Sequence, residues 1–203
     1  MIVILFAAAA LHAGSAPEAA ARPLRYCSLR SLSACRNTNQ LFYDPSFRRN
    51  LKRFAGMARI TALGRNQRLS GLLINTLGGP PDRPVKLPDG NLLFTACIAH
   101  DCGDDGAIIL TPGGAIVAAA TFTVQSVHDQ VYERLNIYVR ARANAAGPSY
   151  RAIVDWAKAA YEDERRAGYL RPAGLTEAVW LVRGRAVKLQ KIGSRTIVCE
   201  PAR

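Results

Sequence analysis

Apolar positions along the 203-residue chain form one unbroken run, two helical stripes and several strand-length stretches. The unbroken run, Met1 to Leu11, is too short to span a bilayer and is followed by small residues, as in a secretory leader. Cleavage is expected between Ala16 and Ala21, so residues 1–21 are read as leader; no Lys or Arg precedes the run, which would put the true start upstream, and a buried N-terminal helix is the alternative. Residues 22–40 show no sustained period and read as a loosely ordered lead-in. The first stripe opens at Asp44-Pro45-Ser46, a capped start. It places Phe47, Leu51, Phe54 and Ala58 on one face and Arg48, Arg49, Lys52 and Arg53 on the other, with Gly56 as the stop. The second stripe, Tyr150, Ile153, Val154, Ala157 and Tyr161, has Ser149 as its expected N-cap and Gly168 as its end.

Between the stripes the pattern turns to strands. Leu69–Leu77 and Asn91–Ala96 read as two, separated by the turn-rich segment Gly78 to Pro84. Ala107–Thr111 and Ala115–Thr123 follow, joined by Pro112-Gly113-Gly114; in the latter, Ala118, Ala120 and Phe122 share a face small enough to admit a helix. Along Val131–Arg142, Leu135, Ile137, Val139 and Ala141 alternate with Arg134, Asn136, Tyr138 and Arg140, which predicts a sheet with one wet face. Glu177–Arg183 and Arg185–Pro201 suggest a final hairpin around Gly184, so residues 169–203 read as a C-terminal extension. The expected class is α+β: an antiparallel sheet with helices packed on one face.

The stretch Cys97-Ile98-Ala99-His100-Asp101-Cys102 joins two of these strands. Cysteines at the feet of such a connection have β-carbons close enough to be bridged, which predicts a disulfide-closed, protruding loop presenting His100 and Asp101. Asp104 and Asp105, between two glycines, read as turn residues that also set the local potential. Cys27, Cys35 and Cys199 remain; Cys27 with Cys35 is the short-range pairing, and either with Cys199 would tie the chain ends together.

Charge sharpens this picture. The net +12 is uneven: from Arg22 to Lys86 there are thirteen basic and two acidic residues, whereas Leu87 to Tyr132 holds five aspartates and no Lys or Arg. The loop therefore lies in the acidic stretch of a basic protein, where a cationic partner would be attracted locally.

Catalytic patterns are absent from the sequence: it has no Gly-x-Ser-x-Gly, no His-Glu-x-x-His, no phosphate-binding Gly-Lys-Ser/Thr and no Cys-x-x-Cys. A metal site from Cys97, His100, Asp101 and Cys102 would crowd four ligands into six residues, and an oxidised pair cannot ligate. No metal, cofactor or enzymatic activity is expected, and His128 reads as a surface or capping histidine.

The loop resembles that of the Ivy-type inhibitors of vertebrate, c-type lysozyme, whose pattern is Cys-Lys-Pro-His-Asp-Cys. Cys97, His100, Asp101 and Cys102 match at the same spacing; Ile98 and Ala99 stand where the family has lysine and proline. Outside the loop the likeness rests on element order, from about Leu41 to Tyr161, giving an inhibitor domain over 41–168. The resemblance implies a periplasmic protein whose loop enters the lysozyme cleft. His100 is then the plug between the catalytic carboxylates, Asp101 its hydrogen-bonding support, and Cys97 with Cys102 the staple. The implied partner is a c-type lysozyme or lysozyme-like glycoside hydrolase; a homodimer is compatible, and no membrane span or nucleic-acid partner is expected. The alternative is a basic exported module that binds nucleic acid or anionic envelope surfaces through Arg48, Arg49, Lys52 and Arg53.

Overall fold

The computed structural model describes residues 27–62, 65–127, 130–139, 147–168, 177–182 and 185–190. In chain order the helices are α1 (Thr38–Phe42), α2 (Pro45–Ala55), α3 (Leu69–Thr76) and α4 (Pro148–Ala167). The strands are β1 (Arg59–Ala62), β2 (Arg65–Arg68), β3 (Val85–Lys86), β4 (Leu92–Ile98), β5 (Asp101–Leu110), β6 (Ile116–Val127), β7 (Gln130–Val139), β8 (Glu177–Val182) and β9 (Arg185–Gln190). β1 and β2 form a separate ribbon, while β3 to β9 make a seven-stranded sheet in sequence order. Neighbours in that sheet are antiparallel except β7 and β8, which run parallel because α4 carries the chain back across one face. The C-terminal hairpin β8–β9 thus extends the main sheet.

The class is α+β, with an antiparallel sheet and disulfides Cys27–Cys35 and Cys97–Cys102. Helices cover both faces of the sheet, however, where one was expected. On one face Phe94, Ile108, Ala119 and Tyr138 join the core formed with α2 and α3. On the other, Ala107, Ile109, Ala118, Ala120, Phe122 and Ile137 pack beneath Tyr150, Ile153, Val154 and Ala157 of α4. The alanines of β6 do admit a helix closely. The face of β7 expected to be wet is covered too: Asn136 and Tyr138 are buried, and Asn136 Nδ2 donates to Thr121 Oγ1 at 3.3 Å. That bond satisfies the amide nitrogen alone; Asn136 Oδ1 is buried with no hydrogen-bond partner among the described residues.

Much of this cover comes from segments misread in the sequence. Leu69–Leu77 forms α3 and not a strand. Leu69, Leu72, Leu73 and Thr76 are all buried, the i, i+3, i+4, i+7 spacing of a helix face, partly disguised by Ser70 and Gly71. The lead-in is packed from Cys27 onward: Cys27, Leu32, Cys35, Thr38 and Leu41 are buried, and the Cys27–Cys35 disulfide closes the first turn of chain. A single short apolar residue every few positions leaves no period to read, yet each fills a place in the core.

Caps are mostly as expected. The Asp44 carboxylate accepts from Ser46 N at 2.8 Å at the start of α2, and Gly56 and Gly168 take the positive φ that ends α2 and α4. Ser149 differs: it lies within α4, and its hydroxyl donates to Asp89 Oδ2 at 2.8 Å while accepting from Asn91. Pro148 occupies the first helical position, where a missing N–H costs nothing. Among the described residues no helix is long and apolar enough to cross a membrane.

Candidate functional site

The pairing of β4 with β5 determines what the Cys97–Cys102 stretch presents. Leu92 to Cys97 pair in register with Leu110 to Asp105, and the register then shifts so that Ile98 pairs Asp101. Cys102, Gly103 and Asp104 bulge from β5 between those two pairs. The expected six-residue loop is therefore a hairpin end, with strand pairing carried to the tip and only Ala99 and His100 between the strands. The Cys97–Cys102 disulfide spans the bulge, with Cα atoms 4.8 Å apart, and fixes the shifted register.

His100 is exposed at the tip with φ 69°, the one non-glycine residue in the described chain with positive φ. That conformation crowds a β-carbon and is normally taken by Gly or Asn in turns. Ala99 and Cys102 are exposed, Ile98 is half-buried and Cys97 is buried. Asp101 occupies the first position of β5, opposite Ile98.

The root of the hairpin is held from behind. Gly79 N donates to Cys97 O at 2.8 Å, Cys97 N donates to Pro80 O at 3.3 Å, and Asp82 N donates to Thr95 O at 3.1 Å. Thr38 Oγ1 reaches the same Thr95 carbonyl at 2.9 Å. A β-carbon on Gly79 would lie 2.4 Å from Cys97 O and 2.5 Å from Ala99 N, so only glycine allows this approach. The last turn of α3 lies equally close to Gly106 of β5, where an added β-carbon would meet Thr76 Oγ1 at 2.6 Å. The sequence marked Gly78-Gly79-Pro80-Pro81 as a turn; its use as a strap along β4 had no periodic signal.

Asp104 and Asp105 do not form a turn. Both belong to β5; Asp104 is 6% exposed and Asp105, opposite Cys97, is mostly covered. Asp104 is the last residue of the bulge and Asp105 is where regular pairing with β4 resumes. Burial first, and then the carboxylates of Glu164, Asp104, Asp82 and Asp163, push the Asp105 carboxyl up to about 7. Three of those four residues come from elsewhere, Asp82 from the strap and Asp163 and Glu164 from the end of α4, so the local acidity exceeds what the linear stretch indicated. Asp82 Oδ2 also accepts from Thr95 Oγ1 at 2.8 Å.

No group of three or more His, Cys, Asp or Glu side chains among the described residues is placed to hold a metal ion. His128 and Cys199 lie outside the described residues, as does the expected leader. The arrangement offers one imidazole on a strained tip over a rigid, acidic root, a shape for insertion into a cleft. No family model, curated protein or solved structure matches the chain.

Proposed function

We propose that the protein is an exported, periplasmic inhibitor of a c-type lysozyme or a lysozyme-like glycoside hydrolase, and that it acts without catalysis. The observation that supports this reading is His100, exposed in a left-handed conformation at a tip stapled by Cys97–Cys102. Strain of that kind persists where the surroundings enforce it, and it aims the side chain. A tip already fixed before contact loses little freedom on binding. Retaining glycosidases carry two carboxyl groups about 5 Å apart, one acting as acid and one as nucleophile. An imidazole inserted between them hydrogen-bonds both through its two ring nitrogens and occupies the space of the scissile bond. Asp101 supports the tip from the next position, and Ile98 and Ala99 supply a neutral rim where the Ivy loop has lysine and proline.

The test is lysis of a peptidoglycan suspension by a c-type lysozyme, with and without the purified protein. Stoichiometric protein should slow lysis, and His100→Ala should weaken inhibition by at least about 2 kcal/mol, the loss typical of a central contact. An alanine variant that inhibits at full strength would refute the plug. Protein that leaves lysis by c-type and related hydrolases untouched would refute the function.

A further inference from the structure

The α2 surface lies at the far end of the sheet from His100. Asn50 Nδ2 donates at 2.6 Å to the carbonyl of Gly114, in the turn between β5 and β6. The His100 turn is at the other end of β5, so about 30 Å separates the two at roughly 3.3 Å per residue.

Arg48, Arg49, Lys52 and Arg53 are all exposed on α2, whose opposite side buries Phe47, Leu51 and Ala55. The helix contains no Asp or Glu. Arg48 with Lys52, and Arg49 with Arg53, are therefore like charges one helical turn apart, an arrangement that destabilises a helix by a few tenths of a kcal/mol per pair. The carboxylate at the helix start, Asp44, is already bonded to Leu29 N and Ser46 N. Next in the chain, exposed Arg59 and Arg68 are direct register partners on the β1–β2 ribbon, again like opposite like. Part of this charge is met within the fold: Arg48 Nε donates to Phe42 O, Arg49 donates to Ser46 Oγ with the Asp44 carboxylate nearby, and Arg59 donates to the side-chain and backbone oxygens of Asn66. No carboxylate is shown beside Lys52, Arg53 or Arg68 among the described residues, and an external anion would offset the repulsion that remains.

Two apolar side chains frame the same helix. Tyr43 precedes it at 68% exposure and Met57 follows it at 77%; with Val85 they are the large hydrophobics left exposed among the described residues. Phosphate of a nucleic-acid backbone has no use for an exposed methionine, whereas a bilayer interface accepts Met and Tyr beside anionic headgroups.

We propose that this basic end is a docking surface for an anionic lipid bilayer, with the cations of α2 on the headgroups and Tyr43 and Met57 entering the interface. Bound this way, the protein holds the His100 hairpin away from the membrane, about the length of β5 above it. The proposal is independent of what the hairpin inhibits.

Co-sedimentation of the full chain with vesicles tests it. Vesicles of equal parts phosphatidylglycerol and phosphatidylcholine should bind the protein at low salt and release it as salt rises. Vesicles of phosphatidylcholine alone should bind far less, and they also report any attachment through the apolar N-terminal residues. Arg48→Gln with Arg49→Gln removes both like-charge pairs together with the bonds to Phe42 O and Ser46 Oγ, so stability should change little while vesicle affinity drops about twenty-five-fold, near fivefold per charge. Tyr43→Ser with Met57→Ser should weaken binding several-fold and leave its salt dependence in place. Equal binding to both vesicle types, no binding to either, or unchanged affinity in the Arg48/Arg49 variant each overturns the proposal. Tighter binding to duplex DNA than to anionic vesicles would also overturn it and assign the surface to nucleic acid.

Discussion

The two ends of the main sheet are built from opposite materials. At the hairpin end, carboxylates gather around Asp105, the backbone is strapped by Gly79 and Pro80, and the one non-glycine residue with positive φ among the described residues is held at the tip. At the α2 end the exposed charges are basic, the helix is capped conventionally by Asp44, and strain is confined to glycines such as Gly56 and Gly114. The contrast extends to acid. Asp105 is pushed up by burial and its acidic neighbours, so its contribution to stability is greatest below the ordinary carboxylate range and fades as pH rises through about 7. Asp44 goes the other way: partial burial opposes ionisation, but the N–H groups of Leu29 and Ser46, with Arg49 nearby, outweigh it and hold the carboxyl below its ordinary value. Its contribution is present at neutral pH and lost on acidification. One end is tightened by protons, the other loosened by them.

The largest expected effect breaks the strap. Gly79→Ala places a β-carbon against backbone atoms of Cys97 and Ala99 that have nowhere to move, and should cost about 3 kcal/mol in urea denaturation. Inhibition should fall with it. Gly71→Ala is the control, since that glycine lies in α3 with nothing near its missing side chain and should gain about 0.5–1 kcal/mol. Equal effects at the two glycines would mean that the strap does not constrain the hairpin.

The pH contrast comes next. Asp105→Asn mimics the protonated carboxyl, so it should match the parent near pH 4 and exceed it at pH 8. About 2 kcal/mol is expected there once partial solvent screening is allowed for. At the other end, Asp44→Ala should lose about 1 kcal/mol at pH 7, as for a lost N-cap, and the deficit should shrink as pH falls. Thermal unfolding at three pH values reads both. Parallel pH profiles for the two variants would remove the opposition between the ends.

How much of this was legible depends on how local each cause is. The caps of α2, the alternation of β7, the small face of β6 and the bridging of Cys97 with Cys102 all follow from residues within a dozen positions of each other. The second helical layer does not. Asn136 and Tyr138 look solvent-facing in the strand pattern because the core on their face is built with helices about sixty or more residues earlier. Asp105 reads as a turn residue from its flanking glycines, and the carboxylates of Asp163 and Glu164 that act on it from α4 are far away in the chain. His100 was legible as a candidate through its cysteines, but its conformation was not, since the register shift at Cys97 and Ile98 that creates the two-residue turn leaves no composition signal.

The smallest expected change in stability bears most directly on the tip. A residue with a β-carbon in the left-handed region costs about 1–2 kcal/mol relative to the right-handed one. Glycine removes that cost and returns about 0.5–1 kcal/mol of it through its freer unfolded chain. His100→Gly should therefore raise stability by about 0.5 kcal/mol while abolishing inhibition, whereas His100→Ala should leave stability nearly level, because alanine carries the same β-carbon. The pattern separates two explanations for a histidine at this position. If it is retained to shape the turn, replacement by the residue best suited to that φ should preserve activity. If it is retained for its imidazole, both variants should fail in the lysis assay, and the glycine variant should fail while unfolding at a higher urea concentration than the parent. A glycine variant that still inhibits would make His100 a turn former and move the search for the plug to Asp101.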